Sequence, residues 1–207
     1  MNLTAKNLRI GAIYCAENAL FSLRDANTLF RKARYASSCV LGIIALEHLG
    51  KCMWLLDKAH SAAQVNRKID STKIKEESKK HDKMLKYGLV SFEFGLPFQA
   101  VDASLAMKVV TKRMKRAPTD FYDLRIRAQY VDLASSNEWN RPPQVEKGKV
   151  HDLLLNVGNC YRFILYSFLL RQPDVTRTMQ EIGLLDTLKG ITPRCTWPPP
   201  EGDIHTE

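Results

Sequence analysis

Residues 35–59 read YASSCVLGIIALEHLGKCMWLLDKA, and the spacing of the apolar residues in this stretch decides the fold class. Ala36, Val40, Ile43, Ile44, Trp54 and Leu55 recur at intervals that place them on one stripe of an α-helix, not on alternate sides of a strand. The stretch therefore predicts a long helix facing a core. At 100° per residue Val40, Glu47 and Trp54 fall almost in line, so a carboxylate sits in the middle of the apolar stripe. Lys51 follows one turn later, about 40° round the helix.

The same period extends outward in both directions. Leu8, Ala12, Cys15, Ala19 and Leu23 predict a first helix over about residues 4 to 33. Residues 64–87 are highly charged and read as helix with a break near Asp70-Ser71-Thr72. Gly88, Gly95 and Pro97 mark the start of a connection. A weaker helix over 98–116 ends in a basic cluster. Pro118 stops it, and Thr119 or Asp120 caps the next one, over 121–133. Ser135-Ser136-Asn137 and Arg141-Pro142-Pro143 read as loop. A long helix over 144–170 and a short one over 174–188 follow. Four prolines from Pro193 onward make the tail a flexible segment. Strand-like alternation is nearly absent and no internal repeat appears. The expectation is an all-α helical bundle: one domain over 1–190, with a tail over 191–207.

Composition narrows the class of function. The chain has 207 residues, and 31 Lys and Arg against 22 Asp and Glu leave a net charge of +9, which points to a polyanionic partner. With 45% hydrophobic residues, the balance is that of a globular protein and excludes an acidic disordered chain, a collagen or a disulfide miniprotein. The five cysteines are scattered, odd in number and contain no CxxC pair, which fits a reducing cytoplasm and gives a zinc site no support. Lys6 and Arg9 interrupt any secretory signal core. The apolar run from Leu153 to Leu170 contains Asn156, Asn159 and Arg162, so it reads as a buried amphipathic helix with no role in a membrane. No GxGxxG, P-loop, HExxH or GxSxG motif is present, and no metal or cofactor is expected.

Glu47 is the residue that asks for an explanation. An unpaired carboxylate on a buried stripe is costly, so it needs a partner. Two readings stand side by side: a structural pair with Lys51 at the favourable i,i+4 spacing, or one wall of a polar cleft between helices. Gly50, next to the pair, permits close approach of another helix or of a ligand.

Four stretches carry a resemblance. They are Ala16-Glu17-Asn18-Ala19-Leu20 with Asp25-Ala26 and Leu29; Ala45-Leu46-Glu47-His48-Leu49-Gly50-Lys51; His81-Asp82-Lys83; and Arg127-Ala128-Gln129-Tyr130-Val131-Asp132, followed by Trp139 and Pro142-Pro143. In their order and spacing the sequence resembles the AbiV family of abortive-infection proteins, grouped with the HEPN superfamily of helical domains, over about residues 12 to 170. One departure is visible: His48 stands where the family commonly has a second glutamate.

The resemblance implies a HEPN-like bundle acting as an antiphage effector that arrests growth or translation. It also implies a homodimer, RNA or the translation machinery as target, and a phage-encoded activator protein. Many HEPN proteins resemble metal-independent ribonucleases whose signature is an arginine, four to six intervening residues, then a histidine. None of His48, His60, His81, His151 or His205 has an arginine at that spacing.

Metal-independent RNA cleavage needs a base for the 2′-hydroxyl, an acid for the leaving 5′ oxygen and cations for the phosphorane. With the resemblance as guide, His81 is the candidate proton-transfer group, Glu47 and Lys51 orient and bind phosphate, and Arg127 and Tyr130 complete the catalytic set. Tyr130 offers a stacking face or a phosphate contact. Lys79, Lys80, Lys83, Lys112, Arg113 and Arg125 are the RNA-binding candidates. Asn18 and Asp25, seven apart on the first helix, share a face that extends the cleft. Ordinary explanations compete: lysine runs are usually solvated faces, and a tyrosine at helical spacing is usually core. Two other functions stay open, a non-catalytic binding module and a nucleotide-binding regulatory partner. Discrete RNA fragments distinguish the effector nuclease from both.

Overall fold

A computed structural model of the chain describes residues 2–65, 68–95, 132–133, 139–140 and 145–189. The first helix, α1 (Ala5–Arg31), starts with a reciprocal cap: the Thr4 hydroxyl accepts from the Asn7 backbone N–H at 3.2 Å, and the Thr4 N–H donates to the Asn7 side chain at 3.0 Å. It ends in a tight turn in which Ala33 adopts φ 55°, and the Arg34 N–H closes onto the Leu29 carbonyl at 2.9 Å. The chain reverses into α2 (Tyr35–Gln64), five residues longer than its apolar pattern predicts. The buried Ser38 hydroxyl donates to the Ala26 carbonyl at 2.7 Å and locks the two helices at their hairpin end.

Helix α2 is the axis of the fold. It packs against α1, against α4 (His81–Gly95) and against α5 (Lys147–Ile164). Ile43, Leu46, Leu49, Cys52 and Trp54 are all but inaccessible to solvent. The helix is long and apolar enough to cross a membrane, but 67% of that apolar window is buried within the fold, where it serves packing.

Between α2 and α4 the chain makes a short strand, β2 (Ile69–Asp70), paired antiparallel with β1 (Asn2–Leu3) at the N-terminus. Then comes α3 (Ser71–Ser78), which the Asp70 carboxylate caps by accepting from the Thr72 N–H at 2.9 Å. The expected break at Asp70 is therefore a helix start. Two expectations are corrected. Gly88 does not open a connection but lies inside α4 at a helix crossing. The helix expected over 121–133 is corrected at its end, where β3 (Asp132–Leu133) pairs with β4 (Trp139–Asn140); residues 121–131 lie outside the described residues.

The long C-terminal helix widens into a π-helical turn over Leu165–Leu169. A bend of 104° then separates it from α6 (Pro173–Glu181). Pro173 sits in the first turn of α6, where its missing N–H costs nothing. The Thr176 hydroxyl ties the corner by donating to the carbonyls of Leu169 and Leu170. A last short helix, α7 (Leu185–Lys189), places Leu188 in the core. The weaker helix expected over 98–116 and the tail over 191–207 lie outside the described residues.

Candidate functional site: a carboxylate and an imidazole at a helix crossing

Helices α2 and α4 meet backbone to backbone. A β-carbon added at Gly50 would lie 1.8 Å from the Met84 carbonyl oxygen, and one added at Gly88 would lie 2.6 Å from the Leu46 carbonyl oxygen. Only glycine fits at either place. The glycine next to the Glu47 stripe thus admits another helix. Gly88, the other half of the contact, was missed. It lies seven residues after His81 and so shares its face of α4, which is the one signal that would have found it.

The crossing sets His81, the first residue of α4, over Glu47. The His81 imidazole Nδ1 and the Glu47 Oε2 are 3.1 Å apart. The carboxylate is nearly enclosed, with 11% of its side chain exposed, whereas half of the imidazole is exposed. An ionised carboxylate only accepts, so Nδ1 donates the hydrogen of this bond. The glutamate thus holds the ring by one nitrogen, Nδ1.

Lys51 does not form the expected i,i+4 pair; no ion pair joins it to Glu47. The ammonium is half-buried and acts instead on Cys15, whose thiol burial pushes up to about 11 while Lys51 partly opposes the rise. Around His81, Lys79 and Lys80 are exposed. Lys83 is engaged: it pairs with Glu77 at 2.5 Å and lies over the Trp54 ring, 5.4 Å from its centroid. Asn18 and Asp25 are exposed on α1. Arg125, Arg127, Tyr130, Lys112 and Arg113 lie outside the described residues. Among the described residues, no group of three or more His, Cys, Asp or Glu is placed to hold a metal ion.

The described elements define a class first: a helical bundle in which α2 packs most extensively against α1 and, with α4, holds an acid–imidazole pair at their crossing. The HEPN_AbiV family model, described as AbiV, matches residues 7–161, and the chain belongs to this family. Its HEPN-type bundle and a role connected with abortive infection and defence follow from that membership. No curated protein and no solved structure matches the chain.

Proposed function

We propose that the chain is an abortive-infection effector that cleaves RNA without a metal, with Glu47 and His81 as its acid–base pair. The observation that carries this reading is the hydrogen bond between a nearly enclosed carboxylate and a half-exposed imidazole. His81 Nε2 takes the proton of a ribose 2′-hydroxyl, the oxygen attacks the adjacent phosphorus, and the P–O5′ bond breaks as the imidazolium so formed returns the proton to the leaving 5′ oxygen. Glu47 fixes the ring and stabilises the imidazolium as it forms, as the carboxylate does in other His-based sites. The cations that meet the phosphorane come from Lys79, Lys80 and Lys51, with Arg127 and Tyr130 joining from the segment outside the described residues. Lys112, Arg113 and Arg125 extend the RNA track. The working form is a cytoplasmic homodimer that brings two such sites together, and a phage-encoded protein releases its activity.

Purified protein incubated with single-stranded RNA tests this. Fragments ending in a 2′,3′-cyclic phosphate are expected, together with resistance of the 2′-deoxy substrate. Glu47→Gln and His81→Ala should lower the cleavage rate by about 10²- to 10⁴-fold with the melting transition retained. Unchanged cleavage in both variants would remove the pair from the mechanism. The missing arginine-to-histidine signature favours one second reading, a module that binds RNA without cutting it. Lysine-dependent, salt-sensitive RNA binding with no fragments is its mark.

A further inference from the structure

On the face of α2 that carries Glu47, two turns further on and about 10 Å along the axis, lies a cavity of about 350 Å³. Trp54 forms part of its wall, with Val65, Ile69 and Ile74. Val65, at the end of α2, is 67% exposed, an apolar surface without cover. Three lysines from three segments line the same cavity: Lys58 from α2, Lys68 from the connection and Lys73 from α3. None of the three has an ion-pair partner among the described residues. The two carboxylates in the lining are already engaged, Asp70 as the cap of α3 and Glu77 with Lys83. The rim is pre-formed, because the β1–β2 pairing fixes Ile69 and Asp70 and the cap fixes the start of α3.

Three ammonium groups against the two carboxylates leave the lining with a net positive charge; Glu77 already draws on Lys58, and Lys68 and Lys73 stand exposed at the mouth. Ammonium groups serve phosphate as point charges. The volume falls at the lower end of the range for small-molecule pockets, and apolar walls with a few converging polar groups are their usual build. We infer that this cavity is a binding site for a nucleoside phosphate, its phosphates held by Lys58, Lys68 and Lys73 and its base or ribose packed on Val65 and Ile74. The same chemistry comes from a free nucleotide or from one nucleotide of an RNA strand. The inference does not depend on cleavage at His81.

Calorimetric titration of the full-length protein distinguishes the outcomes. The probes are a nucleoside triphosphate, inorganic triphosphate, oligoglutamate and a short single-stranded RNA. The nucleotide is expected to bind saturably and at least about tenfold more tightly than inorganic triphosphate or oligoglutamate. Lys68→Ala combined with Lys73→Ala, both at exposed positions, should weaken it by at least about tenfold. Val65→Asp should do the same, and the melting temperature of each variant checks the fold. His81→Ala should leave binding unchanged, which separates this site from the cleavage reading. If RNA competes with the nucleotide in a manner that depends on Lys68 and Lys73, the natural source is a strand; if only the nucleotide responds to those substitutions, the source is free nucleotide. Equal affinity for inorganic triphosphate or oligoglutamate, no saturable binding of either nucleotide or RNA, or indifference to the lysine substitutions overturns the proposal.

Discussion

Glu77 illustrates how a single exposed charge is put to use in this chain. The hydrogen bond and charge of Lys83, with Lys58 and Lys80 nearby, hold the Glu77 carboxyl below its ordinary value. A carboxyl whose pKa is lower in the folded than in the unfolded state adds stability above the unfolded value, near 4.5, and loses it as pH falls through the folded value. Lys83→Met keeps the stem over Trp54 and removes the charge. The fall in urea midpoint between about pH 5 and pH 3 should become shallower in this variant. Above that range it should lose no more than about 1 kcal/mol, because the Glu77 side chain is 38% exposed and solvent screens the pair. A denaturation series over pH reads both effects. The same residue marks a limit of the sequence. Lys83 looks like one of many solvated lysines, and only the fold shows that it is tied to Glu77 and Trp54. Glu47, by contrast, was legible as a residue in need of a partner, since a carboxylate on an apolar stripe has few explanations. Which partner was not legible: Lys51 at i+4 was the nearest candidate, and His81, 34 residues away, bonds to it.

At the scale of elements, the periodicity fixed α1, α2 and the long C-terminal helix to within a few residues, because each buries one continuous stripe. Short-range signals misled where tertiary contact overrides them. A glycine in a helical pattern reads as a break when its neighbour is unknown; at Gly88 the neighbour is the backbone of α2, and the helix continues. The lesson is testable at the partner glycine. Gly50→Ala places a methyl group against the Met84 carbonyl, a backbone atom that cannot swing aside. The two helices must separate, and the loss of core packing should cost several kcal/mol, well above the ~1–3 kcal/mol of ordinary overpacking. His81 leads α4, so moving α4 also lengthens its bond to Glu47. The expected result is a large drop in melting temperature and, in any folded remainder, loss of the RNA cleavage proposed above. Gly50→Ala with wild-type stability would mean that the crossing is looser than its geometry.

At the scale of the whole molecule, the bundle is fastened where four helices meet, and three cysteines report on that junction. Cys15 on α1 and Cys160 on α5 both act electrostatically on the fully buried Cys52 of α2, and the Cys160 thiol reaches the Gly88 carbonyl of α4 at 3.7 Å. From the sequence these cysteines looked scattered, since nothing in their spacing relates three different helices. Burial raises all three thiols, Cys15 to about 11 and Cys52 and Cys160 well above the usual range. At pH 8 even Cys15 is thiolate in only about one molecule in a thousand. With Cys195→Ser to remove the thiol outside the described residues, alkylation of the native protein should be slow at all three sites. Cys52 and Cys160 should react only as fast as the molecule unfolds globally, and together, because they occupy one cooperative core. Mass spectrometry of partially labelled protein checks the coupling: molecules should carry both labels or neither. Half-labelled molecules with Cys160 modified alone would show that α5 leaves the bundle by itself, and the junction would then be two units, α1–α2 and α5, instead of one.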